Sequence, residues 1–143
     1  MWKIGEVSKR SGVGVEALRF YESRGLIQPA ARTDSGYRLY DDRILDRLDF
    51  VKKAQSVGFS LDEIARIIDE SSRGKRPCKE VRTLAAQKLE DLEQRIRELV
   101  RYRNELRETV AAWDRKGEQG GRICGLIEAL APDAVHAPKR GRR

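Results

Sequence analysis

The sequence predicts a mainly α-helical fold, and three observations indicate it. Apolar residues recur at helical spacing along most of the 143 residues, and short segments containing Gly or Pro separate the helical stretches. One stretch in the second half keeps a heptad pattern over about five heptads. Charged residues make up 37% of the chain and hydrophobic residues 39%, a balance typical of long solvated helices attached to a small core.

The start of the chain predicts two short helices joined by a tight turn and followed by a small wing. Lys3–Arg10 and Val15–Arg24 have helical spacing, and a glycine-containing turn separates them, which is the pattern of a helix-turn-helix. Gly25 is suited to end the second helix, and Pro29 prevents its continuation. After the turn sequence Asp-Ser-Gly, residues 37–40 alternate as a strand does, which predicts the wing.

Two more helices complete an N-terminal domain, which we assign to residues 1–76. Asp41–Val57 carries an apolar face, and a glycine follows it. Ser60, followed three residues later by Glu63, has the sequence of a capping box, so the next helix is expected to begin there and to run to about Asp69.

The longest predicted helix begins at about Cys78 and ends near Trp113, and we assign residues 77–114 to it. Its heptad positions, called the apolar stripe below, are Cys78, Ala85, Leu89, Leu92, Ile96, Leu99, Arg103, Leu106, Val110 and Trp113. A helix of roughly 50 Å cannot bury such a stripe inside so small a chain. We therefore expect the same helix of a second subunit to cover it, as an antiparallel coiled coil in a homodimer. A parallel coil and a helix folded back onto the N-terminal domain are the alternatives.

Two segments follow the long helix. Residues 115–131, called the terminal segment, contain a glycine-rich loop, Cys124 and a short apolar helix that ends before Pro132. Because this helix has little polar cover, it should pack on the long helix or on a partner subunit. Residues 132–143 form a basic tail that we expect to be disordered.

The charge is unevenly distributed along the chain. The net charge is +7, with 30 Lys and Arg against 23 Asp and Glu. Residues 1–76 and the last six residues are both net positive, whereas residues 77–137 between them are neutral. This pattern favours a nucleic-acid-binding domain attached to a structural helix.

The composition argues against several classes of protein. Two cysteines cannot staple a secreted scaffold, and a single histidine, His136, leaves little room for His-based catalysis. No phosphate-binding loop, dinucleotide-binding motif, serine nucleophile motif or zinc-protease motif occurs, so we do not expect an enzyme. No apolar run approaches the length of a membrane span or a signal peptide, so we expect a cytoplasmic protein.

Five separated blocks resemble the MerR family of bacterial transcription regulators, in order and in spacing. They are Ile4–Val7, Leu18–Glu22, Gly25–Ile27, Gly36–Tyr40 and Gly58–Ile64. The resemblance covers residues 3–131. It implies a winged helix-turn-helix protein that binds a palindromic promoter as a homodimer. It also implies that the dimer, once an effector binds, distorts the double-stranded DNA and realigns the elements that RNA polymerase recognises.

The resemblance also assigns residues to DNA binding. In the second helix Arg19 and Tyr21 would reach the major groove and the DNA backbone; phosphate contacts would come from Tyr37 and Arg38 in the wing and from Lys52 or Lys53. For Arg19 and Arg38 the alternative is a charge that only faces solvent. We expect Phe20 in the core, whereas Tyr40 fits the core and a DNA contact equally well.

Cys78 and Cys124 resemble the thiols of the branch of the family that senses mercury, lead, cadmium or zinc. Cys78 of one subunit and Cys124 of the other would supply two thiolates, which suit soft metal ions. The chain lacks the further cysteine that those members carry near Ala112. Mercury(II) tolerates two thiolate ligands and zinc prefers four, so mercury(II) is favoured as the effector.

Other interpretations of the two thiols remain open at this point. They could be inert buried residues, or a MerR-type regulator could sense thiol oxidation or an organic effector instead of a metal. A thiol enzyme is disfavoured because neither cysteine has a histidine or a second cysteine nearby in the sequence.

Overall fold

The computed structural model describes residues 1–139 and is mainly helical, as predicted. Within these residues, six helices and two short strands follow one another. They are α1 (Ile4–Ser11), α2 (Val15–Ser23), β1 (Ala31–Arg32), β2 (Arg38–Leu39), α3 (Arg43–Val57), α4 (Leu61–Ser72), α5 (Cys78–Lys116) and α6 (Gly125–Glu128). The chain divides into two compact units, with the boundary between Ala86 and Gln87 inside α5.

The turn between α1 and α2 follows from a glycine at the end of α1. Gly12 adopts φ 75°, a left-handed conformation that favours glycine, and its N–H donates to the Ser8 carbonyl. The chain then reverses, and Val7 of α1 and Leu18 of α2, both fully buried, belong to one core cluster. This packing fixes which face of α2 points away from the protein.

The wing is a two-stranded antiparallel sheet. Ala31 lies opposite Leu39, and Arg32 lies opposite Arg38. The sequence predicted the strand at residues 37–40 but neither its partner β1 nor a further bridge, in which the N–H of Trp2 donates to the Tyr40 carbonyl at 2.7 Å. A strand of two residues is too short to give a periodic signal, so these pairings could not be foreseen.

Two apolar clusters form the core of the first unit. The first contains residues of α1, α2 and α3 together with Tyr40, which is only 1% exposed. The second lies between α3, α4 and the start of α5, and Val81, Leu84 and Ala85 of α5 pack against it. The first turns of α5 are therefore part of this unit's core.

The capping box expected at the start of α4 is present. The Glu63 N–H donates to Ser60 Oγ at 3.2 Å, and the Ser60 N–H donates to Glu63 Oε1 at 2.9 Å. These two bonds satisfy backbone donors that the first turn of a helix otherwise leaves unpaired. The helix extends to Ser72, beyond the predicted end at Asp69.

The second unit consists of most of α5 and the residues that follow it. From Leu89 to Val110 the apolar stripe faces solvent, and Leu89, Leu92, Ile96 and Leu99 are each 46–57% exposed. The short helix α6 covers four residues, and its Leu126 lies beside Ala112 and Trp113 of α5. The described part of the tail also contacts α5, whereas residues 140–143 lie outside the described residues.

No helix within residues 1–139 combines the length and the apolar character needed to cross a membrane.

We expect Ser60→Ala to lower the free energy of unfolding by about 1 kcal/mol, because it removes the side-chain acceptor at the start of α4. Thermal or urea unfolding of the purified protein measures this change. Ser56→Ala is the matched control, because it removes a hydroxyl that bonds only within α3, to the Lys53 carbonyl. An equal loss in both variants would contradict a specific capping role.

Candidate DNA-binding surface and thiol sites

The outward face of α2 presents an arginine and an aromatic ring. Arg19 is exposed and makes no hydrogen bond or ion pair with any other residue in the range 1–139. Phe20 is 48% exposed, and the Arg24 guanidinium lies 5.5 Å from the centre of its ring. The Arg19 guanidinium is suited to hydrogen bonding with base edges, and the exposed Phe20 ring to apolar contact with them.

The prediction that Phe20 belongs to the core is wrong, and its neighbour Tyr21 takes that place. Tyr21 is half-buried and packs against both core clusters. The reason is helical geometry: Tyr21 lies three residues after the buried Leu18 and so shares its face, whereas Phe20 lies on the other side of α2.

Both wing residues singled out from the sequence have partners in the first unit. Tyr37 is 62% exposed, and the Lys3 ammonium lies 5.2 Å from the centre of its ring. Arg38 Nε forms an ion pair with Glu22 Oε2 at 2.6 Å. Sequence reasoning missed Lys3 and Glu22. For Glu22 the available signal was its position four residues after Leu18, on the inner side of α2.

Tyr40 is buried, which decides between the two environments expected for it. Its hydroxyl donates to Glu22 Oε1 at 3.4 Å. Burial raises the pKa of Tyr40, and the negative charge of Glu22 acts in the same direction. Tyr40 therefore stays neutral and serves as a donor at the junction between the wing and α2.

The two lysines near the end of α3 differ in their contacts. Lys52 Nζ donates to the Ser11 carbonyl at 2.6 Å and so joins α3 to the end of α1. Lys53 forms an ion pair with Asp49 at 2.9 Å, and the hydrogen bond to that carboxylate raises the pKa of Lys53. Both side chains are exposed, so each can also approach a phosphate.

Cys78 is a free, exposed thiol at the first residue of α5. It lies at the edge of a surface depression of about 670 Å³, whose apolar lining includes Phe50, Ile67, Pro77 and Val81. An incoming ligand therefore has access to this sulfur.

Cys124 is a free, half-buried thiol that directly precedes α6. The loop before it is closed by Glu128, whose carboxylate accepts hydrogen bonds from the N–H groups of Arg122 and Ile123 at 3.1 and 3.0 Å. Two glycines permit this closure. A side chain at Gly121 would collide with the Glu128 carboxylate, and one at Gly125 would lie 2.6 Å from the Gly120 carbonyl.

A single chain offers few metal ligands in one place. Within residues 1–139, no group of three His, Cys, Asp or Glu side chains is arranged to hold a metal ion. His136, which could have supplied a nitrogen ligand, instead has its ring Nδ1 3.0 Å from Glu105 Oε1. The donors that fit a soft metal ion are thus the two thiols, one in each compact unit.

The contact between the tail and α5 depends on Glu105. The His136 N–H donates to Glu105 Oε2 at 2.7 Å. This hydrogen bond is the main reason why the pKa of Glu105 lies below its ordinary value, and the His136 ring and Arg101 act in the same direction against partial desolvation.

Two family profiles match the chain. The profile described as "MerR HTH family regulatory protein" matches residues 2–71, and the one described as "MerR, DNA binding" matches residues 45–109. Together they span the first unit and most of α5. The chain belongs to the MerR family of transcription regulators.

Curated relatives and a solved structure agree with this assignment. The chain is 36% identical over 133 residues to the mercuric resistance operon regulatory protein of Shigella flexneri, covering 92% of this chain and 88% of the relative. It is 43% identical over 96 residues to a probable heavy metal-dependent transcriptional regulator of Haemophilus influenzae, covering 67% of this chain and 75% of the relative.

The solved structure is that of the regulator PbrR691 from Ralstonia metallidurans CH34 in complex with lead(II). Its sequence is 32% identical, the TM-score is 0.77, and the match covers 92% of this chain and 100% of that one. The MerR-family chain described here is therefore a DNA-binding transcription regulator of the heavy-metal branch.

We expect the contact between the tail and α5 to be lost in acid. Because the pKa of folded Glu105 is lowered, the anchoring carboxylate is fully charged above its ordinary pKa, and the anchor is lost as the pH falls through the lowered value. The NMR signal of the His136 amide, followed from neutral pH to about pH 3, measures this loss.

Glu108→Gln is the control for this titration, because Glu108 is an exposed carboxylate on the same helix. It should leave the titration unchanged, whereas Glu105→Gln should remove the acid-dependent step. A His136 amide that does not respond to acid in the wild-type protein would refute the anchor.

Proposed function

We propose that the protein is a cytoplasmic, homodimeric activator that binds promoter DNA and responds to a soft divalent metal ion, with mercury(II) favoured. The observation that carries this proposal is the solvent-facing apolar stripe of α5, because a dimer is needed both to read two half-sites and to bring two thiols together. In this proposal residues 1–76 bind DNA, residues 77–114 form the dimer and residues 115–131 carry the second thiol.

A second copy of α5 is the partner that suits the apolar stripe best. The stripe has heptad spacing, and its Leu106 and Val110 are still 36% and 44% exposed near the end of the helix. Heptad stripes of this kind pack as two-stranded coiled coils, and an antiparallel pair has the two-fold symmetry of most soluble dimers. Such a dimer would present two copies of α2 to two half-sites of a palindrome.

The DNA contacts are divided between α2, the wing and α3. Arg19 is suited to a base edge because its guanidinium is exposed and unpaired within residues 1–139. Phosphate contacts come from the exposed parts of Tyr21, Tyr37, Arg38, Lys52 and Lys53. These contacts set the position of the protein on the duplex without reading its sequence.

The proposed effector site consists of Cys78 of one subunit and Cys124 of the other. Two thiolates match the two-coordinate binding that mercury(II) accepts, whereas zinc would need further ligands. The relative named for mercuric resistance supports mercury, and the lead(II) complex of PbrR691 shows that a related fold accommodates another soft ion. Cadmium and zinc are less favoured as the effector than mercury and lead.

Activation is proposed to proceed through the shape of the DNA. Two thiolates joined across the dimer would link the start of α5, which is part of the core of the first unit, to the partner's terminal segment. A change in that link can alter how the two N-terminal domains hold the promoter. Bending or untwisting the DNA costs a few kcal/mol, which additional contacts must offset, and realigns the elements that RNA polymerase recognises.

We expect Arg19→Ala to weaken binding by about 1–3 kcal/mol to a duplex that the wild-type protein selects from a random library, because the variant loses a base contact. Fluorescence anisotropy with the selected and a scrambled duplex measures affinity and sequence preference. Arg82→Ala is the control, because Arg82 is an exposed arginine on α5. Unchanged affinity and preference in Arg19→Ala would remove this residue from the site.

We expect Cys78→Ser and Cys124→Ser each to abolish tight mercury(II) binding by the reduced protein while leaving DNA binding intact. A mixture of the two variants provides the sharper test, because a mixed dimer contains one intact pair, Cys78 of one subunit and Cys124 of the other. Random exchange makes about half of the dimers mixed, so isothermal titration of an equal mixture should recover about one site per four subunits, as expected for shared sites.

Two outcomes would contradict the shared thiolate site. Full mercury(II) binding by either single variant would mean that one thiol suffices. No recovery in the mixture would mean that each subunit binds metal by itself. Thiol oxidation as the signal would be indicated if the reduced protein bound no metal ion tightly and DNA binding changed on treatment with peroxide.

A further inference from the structure

Glu22 occupies the junction between α2 and the wing. Its side chain is only 17% exposed, and both carboxylate oxygens have a partner on the wing side. Oε2 forms the ion pair with Arg38 Nε at 2.6 Å, and Oε1 accepts from the Tyr40 hydroxyl at 3.4 Å. A largely buried carboxylate requires such partners, because an unpaired charge away from water is strongly unfavourable.

The contact leaves part of the Arg38 side chain available. Glu22 contacts Nε and is the only hydrogen-bond or ion-pair partner of the Arg38 side chain within residues 1–139, and this side chain is 42% exposed. Guanidinium groups donate from several nitrogens in one plane, so Arg38 can hold Glu22 and a further anion at the same time.

The other partner of Glu22 is fixed in place. Tyr40 is 1% exposed and belongs to the first core cluster, and its backbone is paired on both sides with Trp2, at 2.7 and 2.8 Å. Glu22 is thus held by a residue that cannot move without disturbing the core. Because its carboxylate is fixed, the ion pair with Glu22 also restricts where the Arg38 guanidinium can lie.

We propose that Glu22 is a positioning residue for DNA binding, which joins the wing to α2 and aims the free nitrogens of Arg38 at a phosphate of the DNA backbone. This inference rests on the proposed function, in which Arg38 contacts DNA. Its consequence is that α2 and the wing dock on the duplex as one unit. The ion pair with Glu22 already restricts the rotamers of Arg38, so this side chain loses less conformational entropy when it binds DNA.

The sign of the charge makes the inference testable. Glu22 is negative and lies in a region proposed to face phosphates, so a residue that acted by charge alone would weaken DNA binding, and its removal would tighten it. A positioning residue has the opposite signature. Its removal weakens binding and lowers the salt dependence, because the phosphate contact made by Arg38 is lost.

The experiment measures binding of the full-length protein to a duplex of about 30 base pairs that the wild-type protein has selected from a random library, over a series of salt concentrations. The variants are Glu22→Gln, Arg38→Gln and the double variant. Glu16→Gln is the matched control, because it removes the same charge from an exposed position on α2. Thermal unfolding is recorded for each protein.

We expect Glu22→Gln to weaken binding roughly tenfold and to reduce the slope of log K against log salt by about 0.9, the value for one phosphate contact. Arg38→Gln should reduce the slope by the same amount. Adding Glu22→Gln to Arg38→Gln should cause no further loss of affinity, whereas Glu16→Gln should not weaken binding.

Two results would overturn the inference. An equal loss of affinity on adding Glu22→Gln to the wild type and to Arg38→Gln, with the slope unchanged, would mean that Glu22 only stabilises the fold. Tighter binding by Glu22→Gln would mean that it competes with DNA for Arg38. A failure of the proposed Arg38 contact itself would appear separately, as wild-type affinity and slope in Arg38→Gln alone.

A second variant keeps the test decisive if Glu22→Gln does not fold. Tyr40→Phe removes one of the two partners of Glu22 and leaves both the carboxylate and the aromatic ring in place. It should weaken binding in the same direction by a smaller factor, and only when Arg38 is present. The same loss in the absence of Arg38 would again refute positioning through this arginine.

Discussion

The rest of the structure depends on an apolar stripe that its own chain leaves uncovered. The stripe runs along most of α5, and within residues 1–139 its leucines, isoleucine and valine remain between one-third and three-fifths exposed. At about 25 cal/mol per Å² of apolar surface, covering such a row strongly favours association. Only such an association would bring thiols of two subunits together and place two copies of α2 on one DNA duplex.

In the first unit, the packing of α2 against the core determines which of its residues are exposed. Leu18 and Tyr21 turn one face of α2 inward, so Arg19 and Phe20 are necessarily turned outward. The wing is then attached to the same helix through Glu22. The surface that α2 presents to solvent is thus a consequence of core packing, because the residues that face solvent are determined by those that do not.

The sequence predicted the helices of this protein better than its contacts. Apolar periodicity located α3 and α5, and the pair Ser60 and Glu63 located the capping box of α4, because each of these signals is local in the sequence. Such signals could not predict the strand pairing of Trp2 with Tyr40 or the ion pair of Arg38 with Glu22, because these join residues that are distant in sequence. The misplacement of Phe20 has a related cause. Hydrophobicity alone suggested the core, whereas the position of Leu18 on the helix decided otherwise.

The closed loop in front of Cys124 has a consequence for how tightly a ligand can be bound. Glu128 and two glycines already give this loop one shape, with the N–H groups of Arg122 and Ile123 satisfied. Ordering a flexible segment costs about 1–2 kcal/mol per residue, and here that cost is met during folding. A ligand that reaches this sulfur therefore meets a preorganised loop, so its affinity is not reduced by the cost of ordering that loop.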